Sequence, residues 1–293
     1  MIAHAIARVA VLGGEEAAAS ASKRDLMNSN ICSPPTYHDI NAVLNKLLTN
    51  IRAVMGSHFL GLYLHGSLAC GDFNPQTSDI DFLVVTDGRL SAETFSALKA
   101  IHARLFASGL AWSQKLEGAY IPKDDLRRHD PAHAPIPWLG VDGHFAVEQL
   151  GSDWIIQRWI LREKGIAVAG PPLKSMIDPV SADDLRQAVR GSLREWWSPP
   201  FPSPERFQSS EYQAYAILTM CRSLYVLEHG HVASKPEAAR WAQKTLGDPW
   251  ASLVVAAAAW RPGMDFKKLE ETLGFIWCTL ERSKLKGINV CIQ

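Results

Sequence analysis

Apolar residues first fall into a helical period between Asn41 and Met55, where Val43, Leu44, Leu47, Leu48, Ile51 and Val54 recur three or four positions apart. This spacing predicts an amphipathic helix. It feeds a continuous apolar run, Leu60 to His65, read as a strand, and a second strand is expected from Asp81 to Thr86. Ser91 then opens a helix through Phe95, Leu98, Ile101 and Leu105, and Trp112 to Ile121 predicts a third strand, enough for a minimal sheet. Past the proline-rich crossing His133-Ala134-Pro135-Ile136-Pro137 and a linker placed near 165 to 182, the patterns are almost wholly helical: 185–197, 212–229, 236–246, 250–260 and 266–285. The expectation is an α+β domain with a small mixed sheet and flanking helices over 34–170, followed by an all-α bundle over 171–293. Residues 1–33, rich in Ala, Ser and Glu without a sustained apolar face, are expected to form a loose N-terminal leader.

Composition narrows the classes of function. The 293 residues are 47% hydrophobic, enough for a packed core in each of two domains. Lys plus Arg and Asp plus Glu balance at 30 each, so no basic field argues for nucleic acid as a partner. Five cysteines, odd in number and scattered, show neither a CxxC pair nor zinc spacing and fit reduced thiols of the cytoplasm. The longest apolar stretch, Leu253 to Trp260, is too short to cross a bilayer, so no membrane partner is expected.

The chemistry concentrates between His65 and Val85. Gly66 and Ser67 follow the first strand, and after a short polar turn Ser78-Asp79-Ile80-Asp81 enters the second. Side chains at i and i+2 of a strand share a face, so Asp79 and Asp81 aim together while Ile80 turns into the core. Two hard oxygen donors then converge on a divalent cation, and the glycine-serine turn offers backbone N–H groups and a hydroxyl to phosphate oxygens. Glu117, in the middle of the third expected strand, brings a third carboxylate within reach of the pair. It would act either as a base toward a hydroxyl or as a further metal ligand.

Gly-Ser followed after a short turn by Asp-x-Asp, with a third carboxylate on a later strand, resembles the nucleotidyltransferase superfamily. The helical half, through Leu218-Thr219-Met220-Cys221-Arg222 and on to Lys235, is similar to the aminoglycoside adenylyltransferases that act on streptomycin and spectinomycin. The resemblance spans most of residues 36–285. It implies Mg²⁺ held by Asp79 and Asp81, ATP phosphates met by Gly66, Ser67, Ser78, Arg222 and Lys235, and a nucleotide-pocket aromatic at Trp260. Glu117 falls on the position of the family's catalytic base. The implied reaction is AMP transfer from ATP to a hydroxyl of an aminoglycoside-like antibiotic, conferring resistance. AMP transfer to a protein or to another small molecule, and a nucleotide-binding regulatory or antitoxin-like protein, are the alternatives.

For the acceptor, the resemblance places Trp197 against the drug. A second drug-site tryptophan falls on Gln149, and an acidic drug contact ten residues before Arg222 falls on Tyr212, with Glu211 beside it. A cationic aminosugar calls for carboxylates, and Glu148 and Glu211 are the candidates.

Overall fold

A computed structural model describes residues 35–284; the expected leader, residues 1–33, lies outside them. The chain divides into two compact units. One runs to Leu150 and adds Gln157–Pro179, and the other joins Gly151–Ile156 to the chain from Val180 onward.

The first unit is built on a six-stranded mixed sheet. Its strands are β1 (Phe59–Leu64), β2 (Ile80–Thr86), β3 (Leu116–Pro122), β4 (Ile136–Leu139), β5 (Phe145–Glu148) and β6 (Ile166–Ala169), arranged β5-β4-β3-β2-β1-β6. Only β2 and β3 run parallel. The connection between them carries α3 (Ala92–Phe106), capped by Ser91, whose side chain accepts from the Thr94 N–H. The same connection gives the parallel pair its crossover. The long helix α1 (Pro35–Met55) and α3 cover one face. There Ile40, Val43, Leu47 and Ile51 from α1 join Leu98 and Ile101 from α3 and Leu62, Phe82 and Val84 from the sheet, all 3% exposed or less. Each such side chain withdrawn from water contributes roughly 1.5–3 kcal/mol. Burial along β3 is complete, and β2 is buried at every position except Asp81. That one exception marks where the sheet turns from packing to chemistry.

The second unit is helical: α6 (Ala182–Trp196), α7 (Ser210–His229), α8 (Lys235–Thr245), α9 (Trp250–Ala259) and α10 (Leu269–Lys284). Two short helices, α2 (Gly66–Cys70) and α4 (Lys123–Arg127), belong to the first unit, and α5 (Asp153–Lys164) precedes β6. Capping sets the boundaries of the bundle helices. Ser181 and Asp184 form a reciprocal capping box on α6, and Ser209 and Ser234 cap α7 and α8. Helix α7 is the centre of this unit and packs against α6, α8, α9 and α10, with Ile217, Met220 and Cys221 fully buried.

Three expectations are corrected. The stretch 165–182, read as a linker, contains β6, which pairs antiparallel with β1 through Leu64 and Ile166 and forms an edge of the sheet. The third strand begins at Leu116 rather than Trp112, because Trp112 takes a left-handed conformation and Ser113–Lys115 close a 3₁₀ turn. The sheet also gains β4 and β5, short strands on the far side of β3. No helix among the described residues is long and apolar enough to cross a membrane.

Candidate active site

The site forms where β2 and β3 begin. In their parallel ladder Asp81 stands opposite Glu117, and Asp79 lies just ahead of the pair. One carboxylate oxygen from each of the three lies within 4.8 Å of the others. The β1–α2 turn closes the approach: the His65 backbone N–H donates to the Asp81 carbonyl at 3.1 Å, tying the turn to β2. Gly66 follows at φ 58°, and a Cβ there would overlap the Asp81 carboxylate. Only glycine meets both demands, a left-handed backbone and the close approach of a charged side chain.

The loop into Asp79 is held by its own polar groups. Ser78 Oγ accepts from the Asn74 N–H at 2.9 Å, the Ser78 N–H returns to the Asn74 carbonyl at 2.8 Å, and Asn74 Oδ1 accepts from Gln76 N–H at 2.9 Å. Such side-chain to backbone bonds let a short polar loop hold one conformation without a core of its own.

Electrostatically the site is unbalanced. Glu117 is 4% exposed, and burial, then the neighbouring Asp79 and Asp81, push its carboxyl well above the usual carboxylate range; it also shares a hydrogen bond with Asp79. Its Oε1 is buried without a hydrogen-bond partner, as are Ser67 Oγ, Asp72 Oδ1 and His65 Nδ1. His65, 6% exposed, is pushed down to about 4 by burial, against an opposing pull from Asp79, and is therefore neutral near pH 7. Buried polar atoms without partners cost stability unless a ligand answers them. Three converging carboxylates with an all-oxygen donor set suit a hard divalent cation. The residues present therefore fit a metal-assisted phosphoryl chemistry.

The structure thus brings Gly66, Ser67, Asp79, Asp81 and Glu117 together and sets Ser78 in the loop beside them. Arg222, Lys235, Trp260, Trp197 and Glu211 belong to the second unit. Arg222 is half-buried in α7, and Lys235 opens α8 with its Nζ 5.3 Å from the centre of the Tyr215 ring. Trp260 ends α9 and donates its Nε1–H to the Met264 carbonyl at 2.9 Å. Trp197 is only 4% exposed and lies flat against Tyr212, ring centres 6.0 Å apart at 14°. Glu211 is in the first turn of α7, and Glu148 ends the edge strand β5 of the first unit.

Comparison with known proteins agrees with this geometry. Residues 50–127 match the family model of the nucleotidyltransferase domain, and residues 175–276 match that of the aminoglycoside adenylyltransferase C-terminal domain. An aminoglycoside (3'') (9) adenylyltransferase of Klebsiella pneumoniae is 29% identical over 235 residues, covering 74% of this chain and 86% of that protein. A spectinomycin 9-adenylyltransferase of Campylobacter jejuni is 24% identical over 225 residues, 73% of this chain and 82% of its own. The fold also matches the crystal structure of a spectinomycin adenyltransferase from Enterococcus faecialis with ATP and spectinomycin. There the TM-score is 0.65 at 20% identity, covering 84% of this chain and 99% of that one. The sheet, its acidic strand ends and the first family match define a nucleotidyltransferase, an enzyme that transfers AMP. With the second match and these relatives, the chain carries both domains of the aminoglycoside adenylyltransferases and is similar to them.

Proposed function

We propose that the enzyme transfers AMP from ATP to a hydroxyl of a spectinomycin- or streptomycin-like aminoglycoside in the cytoplasm, and so confers resistance. The observation that carries this reading is the Asp79, Asp81 and Glu117 cluster at the head of two parallel strands, with Glu117 buried beside the aspartates. Asp79 and Asp81 would hold Mg²⁺, which when bound supplies positive charge against the triphosphate. Glu117 takes the proton from the acceptor hydroxyl, and that oxygen forms the bond to the α-phosphorus. The bond from the α-phosphorus to its bridging oxygen breaks, and pyrophosphate leaves with the electron pair. A base in this role typically contributes 10²–10⁴-fold to rate.

Gly66, Ser67 and Ser78 serve the phosphates, and Arg222, Lys235 and Trp260 are the further nucleotide contacts that the family resemblance implies. Burial of Ser67 Oγ without a partner supports the first assignment. For the acceptor, Trp197, Glu148 and Glu211 are the proposed contacts, the carboxylates suiting a cationic aminosugar.

Incubation with ATP labelled at the α-phosphate, Mg²⁺ and a panel of spectinomycin, streptomycin and other aminoglycosides tests the reading. Label appears on one of the drugs with an equal yield of pyrophosphate. Label on a protein instead, or ATP binding with no pyrophosphate, would move the assignment to protein modification or to a regulatory nucleotide-binding role.

A further inference from the structure

The segment between α3 and β3 carries a cation that the reaction above leaves unused. Trp112 holds φ 69° and ψ −4°, the one left-handed residue other than glycine among the described residues. A bulky side chain is disfavoured there, and such outliers gather at functional sites when the surroundings hold them. Two contacts show what this conformation secures. The indole packs on Phe73, in the loop that leads to Asp79, with ring centres 5.3 Å apart, and Lys115 Nζ lies 5.5 Å from the centre of the same indole. From that position Lys115 Nζ donates to the Ser78 carbonyl at 3.5 Å, immediately before Asp79.

The strand register fixes where this ammonium stands. Ile80 pairs with Leu116 and Asp81 with Glu117, so Lys115 and Asp79 occupy the preceding positions at the open end of the same ladder. Lys115 also precedes Glu117 by two residues. Among the described residues, its ammonium has the carbonyl and the indole as partners. A long hydrogen bond from the ammonium to an uncharged carbonyl exchanges readily for a shorter bond to an anionic phosphate oxygen. Like charge makes the same position unsuited to a cationic aminosugar.

We propose that Lys115, aimed by Trp112, is a nucleotide-binding residue whose ammonium engages the β- and γ-phosphates of ATP and then the departing pyrophosphate. The inference rests on the nucleotidyl-transfer reading above. It gives the open end of the β2–β3 ladder a cation of its own for the triphosphate.

The test is calorimetric titration of the full chain with α,β-methylene-ATP and Mg²⁺, with AMP as the control ligand. Lys115→Met keeps the apolar stem over Trp112 and removes the charge, and Lys115→Arg keeps the charge. The methionine variant binds the triphosphate at least tenfold more weakly and AMP as the wild type does, and the arginine variant recovers most of the affinity. Equal loss toward AMP and the triphosphate would make Lys115 a structural residue and overturn the proposal. So would wild-type triphosphate affinity in Lys115→Met, in which case the nucleotide reading stands without Lys115. A wild-type protein that binds no nucleotide would instead defeat the underlying reading, and this inference with it.

Discussion

Asp81 and Glu117 face each other across the one parallel pair in the sheet, the first half-exposed and the second 4% exposed. Two carboxylates in that relation repel each other in water-poor surroundings, and Asp79 adds a third. Burial and the two aspartates favour the protonated form of Glu117, and a bound cation would offset the same repulsion. The fold therefore stores at this point a demand that its ligand satisfies.

The first consequence concerns the metal. A divalent cation at about a hundred times its dissociation constant should stabilise the wild type by about 2.7 kcal/mol, seen as a raised Tm. Asp79→Asn removes one donor and should show no such rise and no transfer activity. A full metal-dependent rise in Asp79→Asn would place the cation elsewhere.

Gly66 offers a separate test of the close approach to Asp81. Gly66→Ala combines a left-handed backbone, costing about 1–3 kcal/mol, with displacement of the Asp81 carboxylate, so both stability and the metal-dependent Tm rise fall. Gly109→Ala is the control: φ is 71° there, but a Cβ meets nothing within 4 Å, so stability falls and the metal response survives. Thermal unfolding with and without Mg²⁺ distinguishes the two.

Trp197 is predicted to matter first for packing. Buried and stacked on Tyr212, it should cost about 3–5 kcal/mol when truncated in Trp197→Ala, read as a lower urea midpoint. Trp197→Phe should keep most of the stability and most of the transfer rate. An alanine variant as stable as wild type, with only the acceptor KM raised, would instead make this side chain chiefly a drug contact.

Acid should destabilise the first unit through His102. Its Nε2 lies 2.7 Å from the Tyr120 hydroxyl, and burial pushes it down to about 4 from an unfolded value near 6.5. Between those values the unfolded chain binds more protons, so stability is complete above about pH 6.5 and falls as pH drops toward 4. One such group accounts for up to about 3 kcal/mol. His102→Gln, which cannot gain the charge and can still bond Tyr120, should flatten the dependence of the urea midpoint between pH 6.5 and 4. An unchanged slope would assign the acid sensitivity to other groups, among them His65.

Much of this was readable in the chain because the relevant patterns are local. Asp79, just ahead of β2, and Asp81 within it are two residues apart in the chain, and the helices of the second unit carry long apolar periods. What escaped was set by partners distant in sequence. Strand β6 has four residues and is specified by β1, about a hundred positions earlier, rather than by any pattern of its own. Helix α5 was missed because its buried side includes Arg158, which donates its Nε–H to the Leu126 carbonyl at 2.7 Å and is 5% exposed; a charge on the inner face breaks the apolar period. Trp197 shows the converse: the family resemblance places it against a ligand, and only the packed neighbours reveal how little of it is accessible.

The central claim is that Glu117 is the base of a metal-assisted AMP transfer. Rapid-quench measurement of pyrophosphate release from enzyme saturated with Mg²⁺, ATP and spectinomycin, or whichever aminoglycoside the panel selects, tests it most directly. Glu117→Gln should bind ATP as the wild type does and release pyrophosphate roughly 10²–10⁴-fold more slowly. Release at the wild-type rate from Glu117→Gln would contradict the account.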